Sequence, residues 1–193
     1  MHTRLISNWV YGGALAGVLL LLLTPVLTAG WPAVLVATFL HLPVYMLHQF
    51  EEHDADRFRL FFNATIGRGH EVLSPFAVFV TNVPGVWGVL GVSLSLAAMV
   101  NPGWSLIAVY LVLVNTLAHV GPALRARRCN PGLVTALLLF VPLGLTTLWL
   151  IHRSGGVAAH YHVIGLGVAI VIHAAILVHV RRQLRRASVG NLR

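Results

Sequence analysis

The chain has 193 residues, 58% hydrophobic and only 9% charged, whereas soluble domains carry roughly 25% charge, so the composition points to a bilayer protein and away from a water-soluble fold. The formal net charge of +8 comes from arginine, since lysine is absent. No soluble segment is present to gather those arginines on one folded face, which excludes nucleic acid as a partner.

Four stretches carry no Asp, Glu, Lys or Arg: residues 5–50, 72–124, 129–152 and 154–180. Each exceeds the roughly 20 apolar residues that cross the hydrocarbon layer. The first two are long enough for two crossings and are interrupted by turn residues, Ala29-Gly30-Trp31-Pro32 and Asn101-Pro102-Gly103, so each reads as a helical hairpin. The expected fold is therefore all-α, a single polytopic membrane domain over 1–193. Its six spans fall near 9–28, 32–51, 75–99, 104–123, 132–151 and 159–180.

Arg4 ahead of an apolar run has the outline of a signal peptide. The run is long and ends without a clean small-x-small pair, so it is read as a retained span. After the second span, Phe58, Phe61 and Phe62 recur at helical spacing beside Arg57 and Arg59. That pattern describes a short helix in the membrane interface that could roof a site. Within the third span, Asn82, Pro84 and Gly85 predict a kink with backbone groups turned to a cavity. Before the fifth span, Asn130 is placed to cap the helix and Pro131 to occupy its first turn. The N–H groups at that helix start would then be free for an anionic substrate group.

Orientation follows from arginine. Arg4, the loops holding Arg57, Arg59 and Arg68 and then Arg125, Arg127 and Arg128, and the tail with Arg181, Arg182, Arg185, Arg186 and Arg193 share one side, and Arg153 alone lies on the other. A split of twelve to one places that side, and both termini, in the cytoplasm, against anionic membrane lipid. The absence of lysine and the abundance of Ala, Val, Leu, Gly and Arg fit a GC-rich bacterial genome and so the plasma membrane. The lone Cys129 falls in a cytoplasmic loop, where no structural disulfide is expected.

Of five acidic residues, Glu51, Glu52, Asp54 and Asp56 cluster at the cytoplasmic end of the second span. Carboxylates oppose the helix dipole there, so capping does not account for them. Asp54 and Asp56 read as an interfacial turn paired with Arg57 and Arg59. Glu51 and Glu52 follow His48 by three and four residues, the offsets that share a helix face. A metal held by His48 and one glutamate would leave the other beside it to move protons. His119, on the fourth span, lies at a similar depth and is the candidate third ligand, with Asn115 one turn away to orient it or to contact substrate. His41 and Tyr45 continue the His48 stripe toward the membrane centre, and His173 on the sixth span lies about 10 Å deep, so each is a further candidate to line the site. His179 lies near the cytoplasmic surface, His53 and His70 read as interfacial, His160 and His162 belong to the opposite face, and His2 and His152 look incidental.

His48-Gln49-Phe50-Glu51-Glu52 resembles the defining motif of the HXXEE family of multi-helix membrane proteins. That family also carries a second histidine, matched by His119, and a Tyr-x-Pro-Gly element, resembled by Cys129-Asn130-Pro131-Gly132 with cysteine in the tyrosine position. The landmarks cover roughly residues 30–150 and support the same choice of residues without implying a reaction. Three readings follow. The first is a metal-dependent enzyme, favouring hydrolysis of a lipid-soluble substrate at the cytoplasmic leaflet, with zinc or iron held by His48, Glu51, Glu52 and His119 and with Asn115, Asn130, His41, Tyr45 and His173 around them. The second is a cation or proton transporter using the same groups. The third is a non-catalytic assembly protein.

Overall fold

The computed structural model describes residues 2–190, with side chains described from 4 to 187, so Arg193 and the side chain of His2 lie outside the described residues. Seven helices follow in chain order: α1 (His2–Leu27), α2 (Ala33–His53), α3 (Arg57–Thr65), α4 (Pro75–Met99), α5 (Ser105–Ala126), α6 (Leu133–Arg153) and α7 (Ala159–Gly190). All except α3 are long and apolar enough to cross a bilayer, and no strand occurs among the described residues. The six spans of the sequence reading are thus present. α2, α5 and α6 run two or three residues further than expected, and α7 runs ten further, carrying Arg181, Arg182, Arg185 and Arg186 beyond its apolar part.

α2 and α5 form the centre. Leu106, Ala108, Val109, Leu111 and Val112 of α5 are fully buried, and Tyr45 of α2 joins Leu111, Val112 and Phe140 of α6 in one core cluster. The outer helices α1 and α7 instead expose Leu15, Leu22, Val26, Val163 and Val171. Leucine and valine on that scale are unfavourable in water and ordinary against lipid tails. Where α7 crosses α5, a Cβ on Gly165 would fall 2.6 Å from the Leu106 carbonyl oxygen. Glycine therefore permits a backbone contact of the kind that drives helix association in lipid.

Two helices are locally widened. α4 opens into a π-turn over Thr81–Trp87, at the segment where a kink was expected. Pro84 supplies no N–H and cannot continue the α-helical ladder, and the wider turn aims Asn82 at α2. α6 has a second π-turn over Ala136–Phe140, directly after Thr135. Such turns are frequent where a helix presents side chains to a site.

The loop between α2 and α3 turns sharply through Ala55 and Asp56, both left-handed at φ 50° and 61°. Arg57 reaches Asp54 at 3.5 Å, and Arg59 reaches Asp56 at 2.5 Å and Glu71 at 3.0 Å, so the two aspartates make the arginine pairs expected of them. Asn63 of α3 accepts from the backbone N–H groups of Val72 and Leu73 and donates to the Leu73 carbonyl. These bonds tie α3 to the start of α4 and fix it over the bundle end.

Candidate metal centre

The C-terminal end of α2, the C-terminal half of α5 and the first turn of α6 meet at the arginine-rich end of the bundle. His48, Glu52 and His119 come together there, all buried, and one ligand atom from each lies within 4.8 Å of the other two. His48 Nε2 stands 3.6 Å from Glu52 Oε2, and His119 Nε2 stands 3.5 Å from Glu52 Oε1. Both separations exceed the 2.7–3.2 Å of a good N–H···O bond. They are close to the ~3.3–3.4 Å that separates two ligands held at ~2.0–2.1 Å on one tetrahedral ion.

The outer nitrogens show which atoms face inward. Glu51 accepts from the backbone N–H of Thr135 at 2.8 Å and of Val134 at 3.3 Å, and the Thr135 hydroxyl donates to Glu51 Oε2 at 2.5 Å. That hydroxyl has one hydrogen, so toward His48 Nδ1, 2.9 Å away, it acts as acceptor. His48 therefore carries hydrogen on Nδ1 and, as a neutral ring, a lone pair on Nε2, which is buried with no hydrogen-bond partner.

His119 is set in the same way. Asn130 Nδ2 donates to the His119 carbonyl at 2.8 Å, which leaves Oδ1 to accept from His119 Nδ1 at 2.9 Å. As a neutral ring, His119 likewise has its lone pair at Nε2. Two lone pairs and a carboxylate converging in a buried site repel one another unless a cation lies among them. Histidine ligands fixed through the remote nitrogen are the usual build of a metal site.

Several residues stand elsewhere than the sequence suggested. Asn130 does not cap α6: the residue before the helix is Gly132, left-handed at φ 91°, and no side chain caps there. The α6 N–H groups expected to be free for a substrate anion are taken by Glu51. Glu51 accordingly lies outside the group of three and supports His48 through Thr135. Asn115 does not orient His119 but donates to the Tyr45 hydroxyl at 3.0 Å. His41 is fully buried with Nδ1 on the Ala37 carbonyl, and His173 Nδ1 faces the Ala169 carbonyl. His162 meets Tyr110 at the far end of the bundle.

Gly132 has a second role. A Cβ there would fall 2.7 Å from His119 Cε1 and 2.9 Å from His48 Cε1. Only glycine leaves room for both rings and also takes the left-handed turn without strain.

Sequence reasoning placed His53 at the interface, and this is corrected. The ring is buried against Trp9 and Phe58, with Nε2 3.2 Å from Glu52 Oε2. Behind it runs a chain of polar contacts. Trp87 Nε1, which can only donate, bonds Gln49 Oε1 at 2.7 Å, Gln49 Nε2 donates to Asn82 Oδ1 at 2.9 Å, and Asn82 Nδ2 faces His53 Nε2 at 3.3 Å. Thr135, His53 and the Gln49–Asn82 pair were missed because their roles depend on contacts between helices far apart in sequence. The only sequence signal was that His53 directly follows Glu52.

Glu52, His53 and His119 form the polar end of a cavity of about 380 Å³, walled mainly by apolar residues of α3, α4, α5 and α7, among them Phe58, Phe62, Val86, Leu111 and Ile176. Tyr45, Asn115 and His173 also reach its wall, whereas His41 does not.

A six-span bundle with two histidines and a carboxylate buried at one end defines a polytopic membrane protein with a group that could hold a metal ion. The family model described as "Protein of unknown function with HXXEE motif" matches residues 39–147, more than half of the chain, and the protein belongs to that family. The match takes in His48, Glu51, Glu52, His119 and Gly132. No curated protein and no solved structure matches the chain.

Proposed function

We propose that the protein is a membrane-embedded metal-dependent hydrolase acting on an amphiphilic, lipid-soluble substrate at the leaflet facing its arginine-rich end, which is cytoplasmic under the positive-inside rule. The observation that carries this reading is the convergence of His48 Nε2 and His119 Nε2 on the Glu52 carboxylate, at the polar end of an apolar cavity. His48, Glu52 and His119 are the ligands. Two histidines and a carboxylate leave a position open for water or substrate, the usual arrangement of hydrolytic zinc. When bound, the metal supplies Lewis acidity and a nucleophile at neutral pH.

The chain's own residues do the rest. Asn130 and Thr135 hold the two rings, and Glu51 keeps Thr135 in place by joining it to the α6 backbone. With both Glu51 oxygens engaged, His53 becomes the side chain placed to move a proton, at Nε2 beside Glu52. The Phe58–Phe62 roof of α3 keeps bulk water from the site.

Transport fits less well. On the membrane side of His48 the stripe closes, with Phe140 against the His48 ring at 4.3 Å and against Tyr45 at 4.8 Å. The site opens sideways into apolar space and not along a polar path. Metal per chain, measured by mass spectrometry on detergent-purified protein, tests the proposal. About one zinc or iron, lost in folded Glu52→Gln and His119→Ala, is expected, together with hydrolysis of a long-chain acyl ester that the same variants abolish. No metal after reconstitution with either ion would leave an assembly role as the better account.

A further inference from the structure

The cavity stripe on α5 runs through Leu111, Asn115, Ala118, His119 and Pro122. Continued by three residues, it reaches Arg125. On α7 the stripe runs through Ile172, His173, Ile176 and Leu177, and four residues on it reaches Arg181. At 1.5 Å per residue, the arginines stand roughly 4.5–6 Å past the last wall residues, toward the outer end of the bundle. α5 and α7 pack directly against each other and both wall the cavity, so the two arginines lie beyond the same end of it. Both are exposed.

The acidic residues are committed elsewhere. Asp54, Asp56 and Glu71 are paired with Arg57 and Arg59, Glu51 with the start of α6, and Glu52 with the histidines. No described carboxylate neutralises Arg125 or Arg181. A role in topology alone gives an arginine no reason to fall on the cavity stripe, and Arg127, two residues further on, lies past the helix end in a left-handed turn.

We propose that the cavity admits an anionic phospholipid from the adjoining leaflet, with the head-group phosphate received by Arg125 and Arg181 and an acyl chain against α5 and α7. Guanidinium forks match phosphate oxygens, and the apolar wall suits the chain. As a statement of substrate class this rests on the hydrolase reading, whereas the binding itself can be measured without catalysis.

The test is native mass spectrometry of the full chain in detergent with an equimolar mixture of phosphatidylglycerol and phosphatidylcholine, with metal content read on the same samples. Wild type is expected to retain phosphatidylglycerol roughly 5- to 30-fold better, the effect of one to two well-placed arginines. R125Q/R181Q brings the two lipids to parity, and R127Q/R128Q keeps the preference. Ala118→Trp, which fills the cavity and leaves both arginines in place, releases the lipid, and soluble glycerol phosphate does not displace it from wild type.

Parity in wild type, an equal loss in R127Q/R128Q, or full retention in Ala118→Trp overturns the proposal, the last by placing the lipid on the outer belt. Displacement by glycerol phosphate overturns it in favour of a soluble anion. Loss of preference with one metal per chain sinks only the lipid assignment. Preference without metal sinks only the hydrolase.

Discussion

Thr135 gives the most specific test at the scale of a single residue, because one hydroxyl serves two partners in a fixed direction. It accepts from His48 and donates to Glu51, so Thr135→Val keeps the shape and removes both bonds. Supporting contacts of this kind are worth roughly 10- to 100-fold in metal affinity. A loss of that size in competitive zinc titration is expected for Thr135→Val, with Thr135→Ser restoring it, and an unchanged affinity would show that His48 is not held through this hydroxyl. Gly132→Ala is expected to be worse. Its methyl group would enter the space of both imidazoles and its backbone would be held at φ 91°, a strain of about 1–3 kcal/mol. Loss of metal together with a lower melting temperature in detergent is the expected outcome. The sequence made His48, Glu52 and His119 legible because helical periodicity is local and depth can be counted along a span. It could not assign the second shared contact of His48, since Thr135 lies 87 residues away and meets it only once α6 has docked on α2.

At the scale of elements, the two glutamates divide according to which helix each one serves. Spacing alone put both on the His48 face, and either could have been the ligand. Glu51 points to the start of α6, where its charge meets the N–H groups of Val134 and Thr135, an interaction worth about 0.5–2 kcal/mol at a helix start. Glu52 points inward between the histidines. Glu51→Gln is therefore expected to lower the melting temperature and weaken metal binding in part, whereas Glu52→Gln abolishes metal binding in a protein that still folds. Metal titration and thermal unfolding of the two variants side by side check this, and matching behaviour would mean that both carboxylates ligate. Each widened turn has a proline in it or beside it in the sequence. Pro84 announced the irregularity in α4 through its missing N–H. The π-turn of α6 has no proline within Ala136–Phe140, but Pro142 follows it and withholds an N–H from the Leu138 carbonyl inside the turn.

For the whole molecule, the fold was readable because the bilayer demands long apolar helices with their backbone bonds satisfied internally. Which helices would be central was readable in part, since α1 and α7 are more apolar than α2 and α5. What separates them is where polarity is stored. α2 and α5 bury His41, His48, Gln49, Glu52, Thr116 and His119, groups that would be costly against lipid and must face protein, while α1 and α7 turn leucine and valine outward. This arrangement brings the site to the same end as the arginine-bearing loops, so the side on which the site lies reduces to a question of orientation. The arginine asymmetry predicts that this end faces the cytoplasm. Cys129 provides the measurement, being the sole cysteine of the chain and exposed in the loop between α5 and α6. A membrane-impermeant maleimide is expected to label it in inverted vesicles and not in intact cells, with Cys129→Ser abolishing the signal. Labelling from outside would invert the bundle. It would also move both the metal group and the cavity mouth to the opposite leaflet, because Asn130, which holds His119, is the residue next to this cysteine.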